Sequence, residues 1–243
     1  MDITIPRRYC GPPESANGGW ASGVVAEHVR TTSERPVVTV RLASPPPLDR
    51  RLSLVRQAPA SDVDELRLLD GDHLVATATA APAFADDVAA APTLAQAHTA
   101  EQRYEGLLEH PFPTCFVCGT ARDPTDALCL RPGPLDDGTG RYAASWVPLE
   151  VGMPWVWAAL DCPGGWSAGI AGRPMVLGTM AARVLALPVT GRPHVVVAWQ
   201  RGSAGRRHLS ATALLGPDGA LLARAEATWV AVDPTTIRPQ DVP

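Results

Sequence analysis

Ser15-Ala16-Asn17-Gly18-Gly19-Trp20-Ala21-Ser22-Gly23-Val24-Val25-Ala26-Glu27-His28-Val29 gives way, after Pro36, to Val37-Val38-Thr39-Val40-Arg41-Leu42. The first stretch carries capping side chains at Ser15 and Asn17, and Trp20, Val24, Val25 and His28 or Val29 then recur at helical spacing. Pro36 ends any helix, and the β-branched run beyond it reads as a strand. Working outward, further strands are expected at 51–56, 63–69 and 73–80, the last two joined by the hairpin turn Asp70-Gly71-Asp72. The later half repeats the plan. A strand is expected at 141–147, a helix-like segment from Pro154 to Asp161, and strands at 175–187, 194–200, 208–215 and 220–232. Gly216-Pro217-Asp218-Gly219 supplies another hairpin turn. Residues 81–102, rich in Ala, Pro and Asp, read as a surface linker with a short helix around 93–109.

The expected fold class is therefore α+β: two halves of similar design, each a central helix packed on a bent antiparallel sheet. A chain of 243 residues suits two such units, divided here as 1–100, with the linker trailing, and 101–243. A lone sheet of this kind leaves a face and an edge open, so the halves are expected side by side in one continuous sheet. Asn17-Gly18-Gly19-Trp20 echoes Pro163-Gly164-Gly165-Trp166, which reads as a trace of duplication. The Pro-Gly-Gly soon after Asp161 is expected to end that helix.

Composition excludes several chemistries. The chain has no lysine, which removes Schiff-base, pyridoxal-phosphate and P-loop chemistry. A formal charge of −4 gives no reason to expect nucleic acid or an anionic membrane as partner. No apolar run approaches the ~20 residues of a membrane span, and Met1 to Arg8 lacks a signal-peptide core, so a cytoplasmic location is expected. Five cysteines argue against a disulfide framework. Cys115 and Cys118 form a C-x-x-C, but a zinc site wants a second close pair, and Cys129, His110 and Cys162 are scattered. No metal is expected; Cys115, Cys118 and Cys129 read as small, mostly buried thiols.

Three segments resemble the hot-dog fold, specifically a double hot-dog of the PaaI-like and acyl-CoA thioesterase superfamily. Asn17-Gly18-Gly19 opens a helix as His-Gly-Gly does in many hot-dog thioesterases. Cys115-Phe116-Val117-Cys118-Gly119, with Leu128-Cys129-Leu130 beyond, is similar to the C-F-x-C-G … G-L-x-L segment before the first strand of PaaI-like members. Trp157-Ala158-Ala159-Leu160-Asp161 resembles the A-x-L-x-D stretch of their central helix, whose Asp is catalytic. The departures are Asn17 in place of His and Gly152-Met153-Pro154 where a second glycine pair would fall. The resemblance implies an acyl-thioester hydrolase acting on acyl-CoA or an acyl-carrier protein. Its only cofactor-like group would be coenzyme A or phosphopantetheine, as part of the substrate. It also implies possible association of copies into a homo-oligomer through sheet edges.

The residues themselves suggest roles. A helix start with glycines offers free N–H groups and a positive dipole end to an oxyanion; Gly18 and Gly19 suit this, with Asn17 as N-cap, as a further donor, or as both. Asp161 lies among apolar neighbours, where burial raises a carboxyl pKa towards that of a general base; the bland alternative is an ion pair with Arg173 or Arg183. Glu27, beside His28, reads as a solvated helix end. Trp20 and Trp157 are candidate walls for an acyl or pantetheine chain, or simply core. Gly165-Trp166-Ser167-Ala168-Gly169 is a literal G-x-S-x-G, but the strand that should lead directly into it is missing. Hot-dog dehydratases use a His near the helix start, and neither half has one. A non-catalytic protein that holds an acyl chain or intermediate is the remaining alternative.

Overall fold

The computed structural model describes residues 1–57, 64–84, 88 and 90–239. Val63, the first residue of one expected strand, and positions 85–87 and 89 of the expected linker lie outside the described residues. The first half contains β1 (Asp2–Thr4), α1 (Gly18–Ala26), β2 (Val37–Leu42), β3 (Arg51–Gln57), β4 (Glu65–Asp70) and β5 (His73–Ala81). After α2 (Leu94–Glu101) come β6 (Gly133–Pro134), β7 (Tyr142–Trp146), α3 (Met153–Ser167), β8 (Met175–Val184), β9 (His194–Ala204), β10 (Arg207–Leu215) and β11 (Leu221–Ala231).

Among the described residues, eleven strands form one sheet, in the order β1-β3-β4-β5-β2-β8-β11-β10-β9-β7-β6. The two groups of strands meet where β2 pairs antiparallel with β8, Val40 opposite Met180. The edge strands β1 and β6 have three and two residues, so each open edge presents few unpaired backbone groups. No described helix is long and apolar enough to cross a membrane.

Side chains alternate across the sheet with period two. Ala144, Val196 and Leu214 join the main core with α1 and α3. Their neighbours Ala143, Val195, Val197, Ala213 and Leu215 form a second cluster on the other face with Ala97 and Ala100 of α2. The stretch expected as surface linker therefore contains a structural helix. Thr93 caps it reciprocally, its Oγ1 accepting from Gln96 N at 3.2 Å while Gln96 Oε1 accepts from Thr93 N at 2.8 Å. Two strands, β1 and β6, had no legible pattern because they are too short to show a period.

The largest departure concerns α3. Pro163 sits inside the helix, which continues to Ser167, so the Pro-Gly-Gly does not terminate it. Burial overrides local propensity here: twelve of its fifteen residues are buried, and its final turn lies flush on the sheet. A Cβ at Gly164 would come 2.6 Å from Ser210 Oγ, and one at Gly165 3.0 Å from the Trp229 ring. The glycines are needed for that close approach rather than as a stop signal. The echo between the two Gly-Gly-Trp stretches does not mark equivalent positions, since Asn17 caps the start of α1 whereas Pro163 is deep within α3.

Candidate functional site

Antiparallel crossing of α1 and α3 builds the site. Gly19 packs against Asp161 and the Trp157 carbonyl, and one turn later Gly23 packs against Pro154 and Trp157. With no side chains between them, the helices approach closely enough for backbone of one to reach the side chain of the other.

Asn17 is the N-cap of α1: its Oδ1 accepts from Trp20 N at 2.8 Å. Its Nδ2 donates across the crossing to Asp161 Oδ2 at 2.9 Å, and Gly19 N–H donates to the same oxygen at 2.9 Å. Asp161 Oδ1 is buried and has no hydrogen-bond partner. Burial pushes the Asp161 carboxyl up to about 7; the Gly19 and Asn17 bonds oppose that rise and the nearby Cys115 adds to it. The expected alternative, pairing of Asp161 with Arg173 or Arg183, is not what engages it; Arg173 faces the His208 ring at 3.0 Å.

An apolar cavity of about 250 Å³ opens beside this constellation. Asn17, Gly18, Asp161, His110, Cys115, Cys118 and Cys162 line it, together with residues 42–46, the start of β8 and Trp229. Gly18 thus faces the cavity at the helix start, where an N–H has no intrahelical partner, while the Gly19 N–H is engaged by Asp161. Trp20 and Trp157, candidates either for chain-binding walls or for core, are buried in the main core. Trp20 stacks on Tyr9 with centroids 3.6 Å apart and planes 8° apart, and Trp157 is fully buried with its Cβ against Gly23.

The opposite end of the crossing lacks the same equipment. Pro154 removes an N–H from the first turn of α3, and Glu27 is half-exposed beside His28 at 3.5 Å. Only one such site is therefore built among the described residues.

The thiols were the part that spacing concealed. Cys115, Cys118 and Cys162 are buried, and their sulfurs all lie within 4.8 Å of one another. Bonds from the Cys118 and Cys162 thiols hold Cys115 well below the ordinary thiol range, and burial with those bonds raises the other two. Cys162 follows Asp161 on α3 but is 44 positions beyond Cys118, so no local motif announces it. Cys129, at intermediate burial, is not in this group.

Ser167 does not form a nucleophile elbow. It ends α3, its Oγ donates to Gly164 O at 2.9 Å, and the strand pairings are antiparallel throughout. A fluorophosphonate is expected to leave Ser167 unlabelled; intact-mass measurement showing a stoichiometric adduct would reinstate a serine hydrolase.

No protein-family model matches the chain, and a search of curated proteins found no match. Solved structures do match. A conserved protein of unknown function with hot-dog fold from Alicyclobacillus acidocaldarius is 12% identical, over 96% of this chain and 92% of that one, with a TM-score of 0.62. Acyl-CoA thioesterase II TesB2 from Mycobacterium marinum is 9% identical, over 95% and 92%, with a TM-score of 0.58. The dehydratase domain of PpsC from Mycobacterium tuberculosis, solved in complex with C12:1-CoA, is 13% identical, over 96% and 93%, with a TM-score of 0.58. At these identities the likeness shows the fold alone: a hot-dog fold with a large antiparallel sheet and few helices.

Proposed function

We propose that this chain is a double hot-dog thioesterase that hydrolyses an acyl thioester of coenzyme A or of an acyl-carrier protein, with the cytoplasm as its compartment. The repeats are taken as residues 1–100 and 101–243, with α2 at their boundary covering the second. The observation that carries the reading is the Asp161 carboxylate, with Oδ2 anchored by Asn17 and Gly19 and Oδ1 left unpartnered beside an apolar cavity.

In this reaction Asp161 Oδ1 takes a proton from water as the water oxygen bonds to the thioester carbonyl carbon. The negative charge that develops on the carbonyl oxygen is met by the Gly18 N–H at the positive end of α1. Collapse of the tetrahedral intermediate breaks the carbon–sulfur bond. The departing thiolate recovers the proton from Asp161, giving a free acid and a thiol. The apolar cavity takes the acyl chain, and no metal or redox cofactor enters these steps. Association between copies through sheet edges would, among the described residues, use the short strands β1 and β6.

One observation favours a second reading, a protein that holds an acyl thioester without turnover: Asp161 already occupies the Gly19 N–H and the Asn17 amide, two donors expected for an oxyanion. A panel of acyl-CoAs of graded length, assayed for free thiol, separates the two. The thioesterase reading expects thiol release from at least one member, lowered about tenfold in Asn17→Ala by loss of a group that orients the base. Saturable binding across the panel without thiol release would establish the holding function instead.

A further inference from the structure

The strongest feature not used by that reaction is the cluster of three sulfurs beside it. Cys115 Sγ and Cys162 Sγ are 3.7 Å apart, and Cys118 Sγ lies within 4.8 Å of both. Thiolates at tetrahedral positions around one zinc ion, with Zn–S about 2.3 Å, are about 3.8 Å apart. The sulfurs are thus near ligand spacing and well beyond the roughly 2 Å of a disulfide.

The surroundings hold the three sulfurs in place. The Cys115-to-Gly119 turn is closed by the Gly119 N–H donating to the Cys115 carbonyl at 2.9 Å. Gly119 is required for that turn, because a Cβ there would lie 2.5 Å from the carbonyls of Pro113 and Cys115. Asn17 Nδ2 lies 3.6 Å from Cys162 Sγ and 3.9 Å from Cys115 Sγ. The fully buried Trp166 has no hydrogen-bond partner for its indole N–H. An amide donor beside the sulfurs, as Asn17 is, is the kind of outer-shell group that metal thiolates use.

From this geometry we propose that Cys115, Cys118 and Cys162 form a three-thiolate site for a single soft divalent cation, zinc by ligand chemistry, with the fourth position facing the cavity. Binding leaves three thiolates around one Zn²⁺ and releases to solvent the protons that the thiols carried. His110 is not the fourth ligand: its Nδ1 accepts from Phe112 N at 2.9 Å and its Nε2 meets the Cys118 carbonyl at 3.1 Å. The ion ties the loop carrying Cys115 and Cys118 to α3, fixing one wall of the cavity. This departs from the expectation of no metal, because folding supplies the third ligand that spacing did not.

Elemental analysis of the full-length protein purified under reducing conditions with added Zn²⁺ tests the site without any substrate, so its outcome is separate from that of the thioester assay. About one zinc per chain is expected, and Co²⁺ exchanged into the site is expected to give intense sulfur-to-cobalt bands in the near ultraviolet with four-coordinate visible bands. Cys162→Ser and Cys118→Ser are expected to lose the metal and the bands, whereas Cys129→Ser keeps both. Should the serine variants not fold, release of zinc from the native protein in step with mercurial titration of its thiols gives the same answer. Folded, reduced protein with neither zinc nor cobalt bands, zinc retained in a folded Cys162→Ser variant, or a Cys115–Cys162 disulfide by mass would each overturn the proposal.

Discussion

Asp161→Asn is expected to lose about a hundredfold or more of thioester hydrolysis, the scale of removing a general base, while the protein becomes more stable. The carboxyl is 2% exposed, and its two donors, Asn17 Nδ2 and Gly19 N–H, both bond to a single oxygen. An asparagine has nearly the same shape, and its carbonyl oxygen can accept both bonds. It removes the buried charge, whose desolvation is the largest influence on this group. The gain is expected at about 1–3 kcal/mol, or a melting temperature higher by roughly 2–10 °C for a chain of this size. Activity and thermal unfolding measured on the same preparation check both halves. An Asp161→Asn protein that unfolds as before and still releases thiol at the native rate would remove Asp161 from the mechanism. Opposite signs for function and stability mark a group retained for chemistry rather than for packing.

Gly19→Ala is expected to destabilise the fold by about 2–4 kcal/mol, at and somewhat above the usual range for overpacking. A Cβ there would lie 2.4 Å from Asp161 Cβ and 2.7 Å from the Trp157 carbonyl oxygen. Neither neighbour is the far end of a flexible chain, so α1 and α3 would have to separate, lengthening the Gly19–Asp161 bond. Helix propensity alone predicts the reverse, a gain of about 1 kcal/mol for alanine over glycine within a helix. The sign of the change in melting temperature therefore decides between local and tertiary control. A stabilised Gly19→Ala protein would mean that the helices do not touch at this point.

Much of the architecture was legible because long regular elements carry their own periodicity. β8 to β11 run nine to eleven residues each, long enough for strand patterns and turn residues to agree. α1 announced itself through Asn17 and the apolar spacing after it. The site was half legible. Asn17 and Asp161 were picked out and do meet, but their mutual bond, the loss of Gly19 as a free donor, and the roles of Trp20 and Trp157 as core depend on how closely two helices pack. Linear spacing holds no measure of that distance.

Local chemistry along the chain was enough to specify α+β character, two similar runs of helix and strands, the absence of lysine-dependent catalysis, and a buried carboxylate as the group to watch. Only the folded chain decided that α3 continues through Pro163, that one helix crossing holds the site while its counterpart is unequipped, and that Cys162 joins Cys115 and Cys118. The physical reason is common to all three. Propensity and period act over a few residues, whereas desolvation and close packing act between segments that the sequence keeps 47 to 142 positions apart and that meet only when the sheet brings α1 and α3 together.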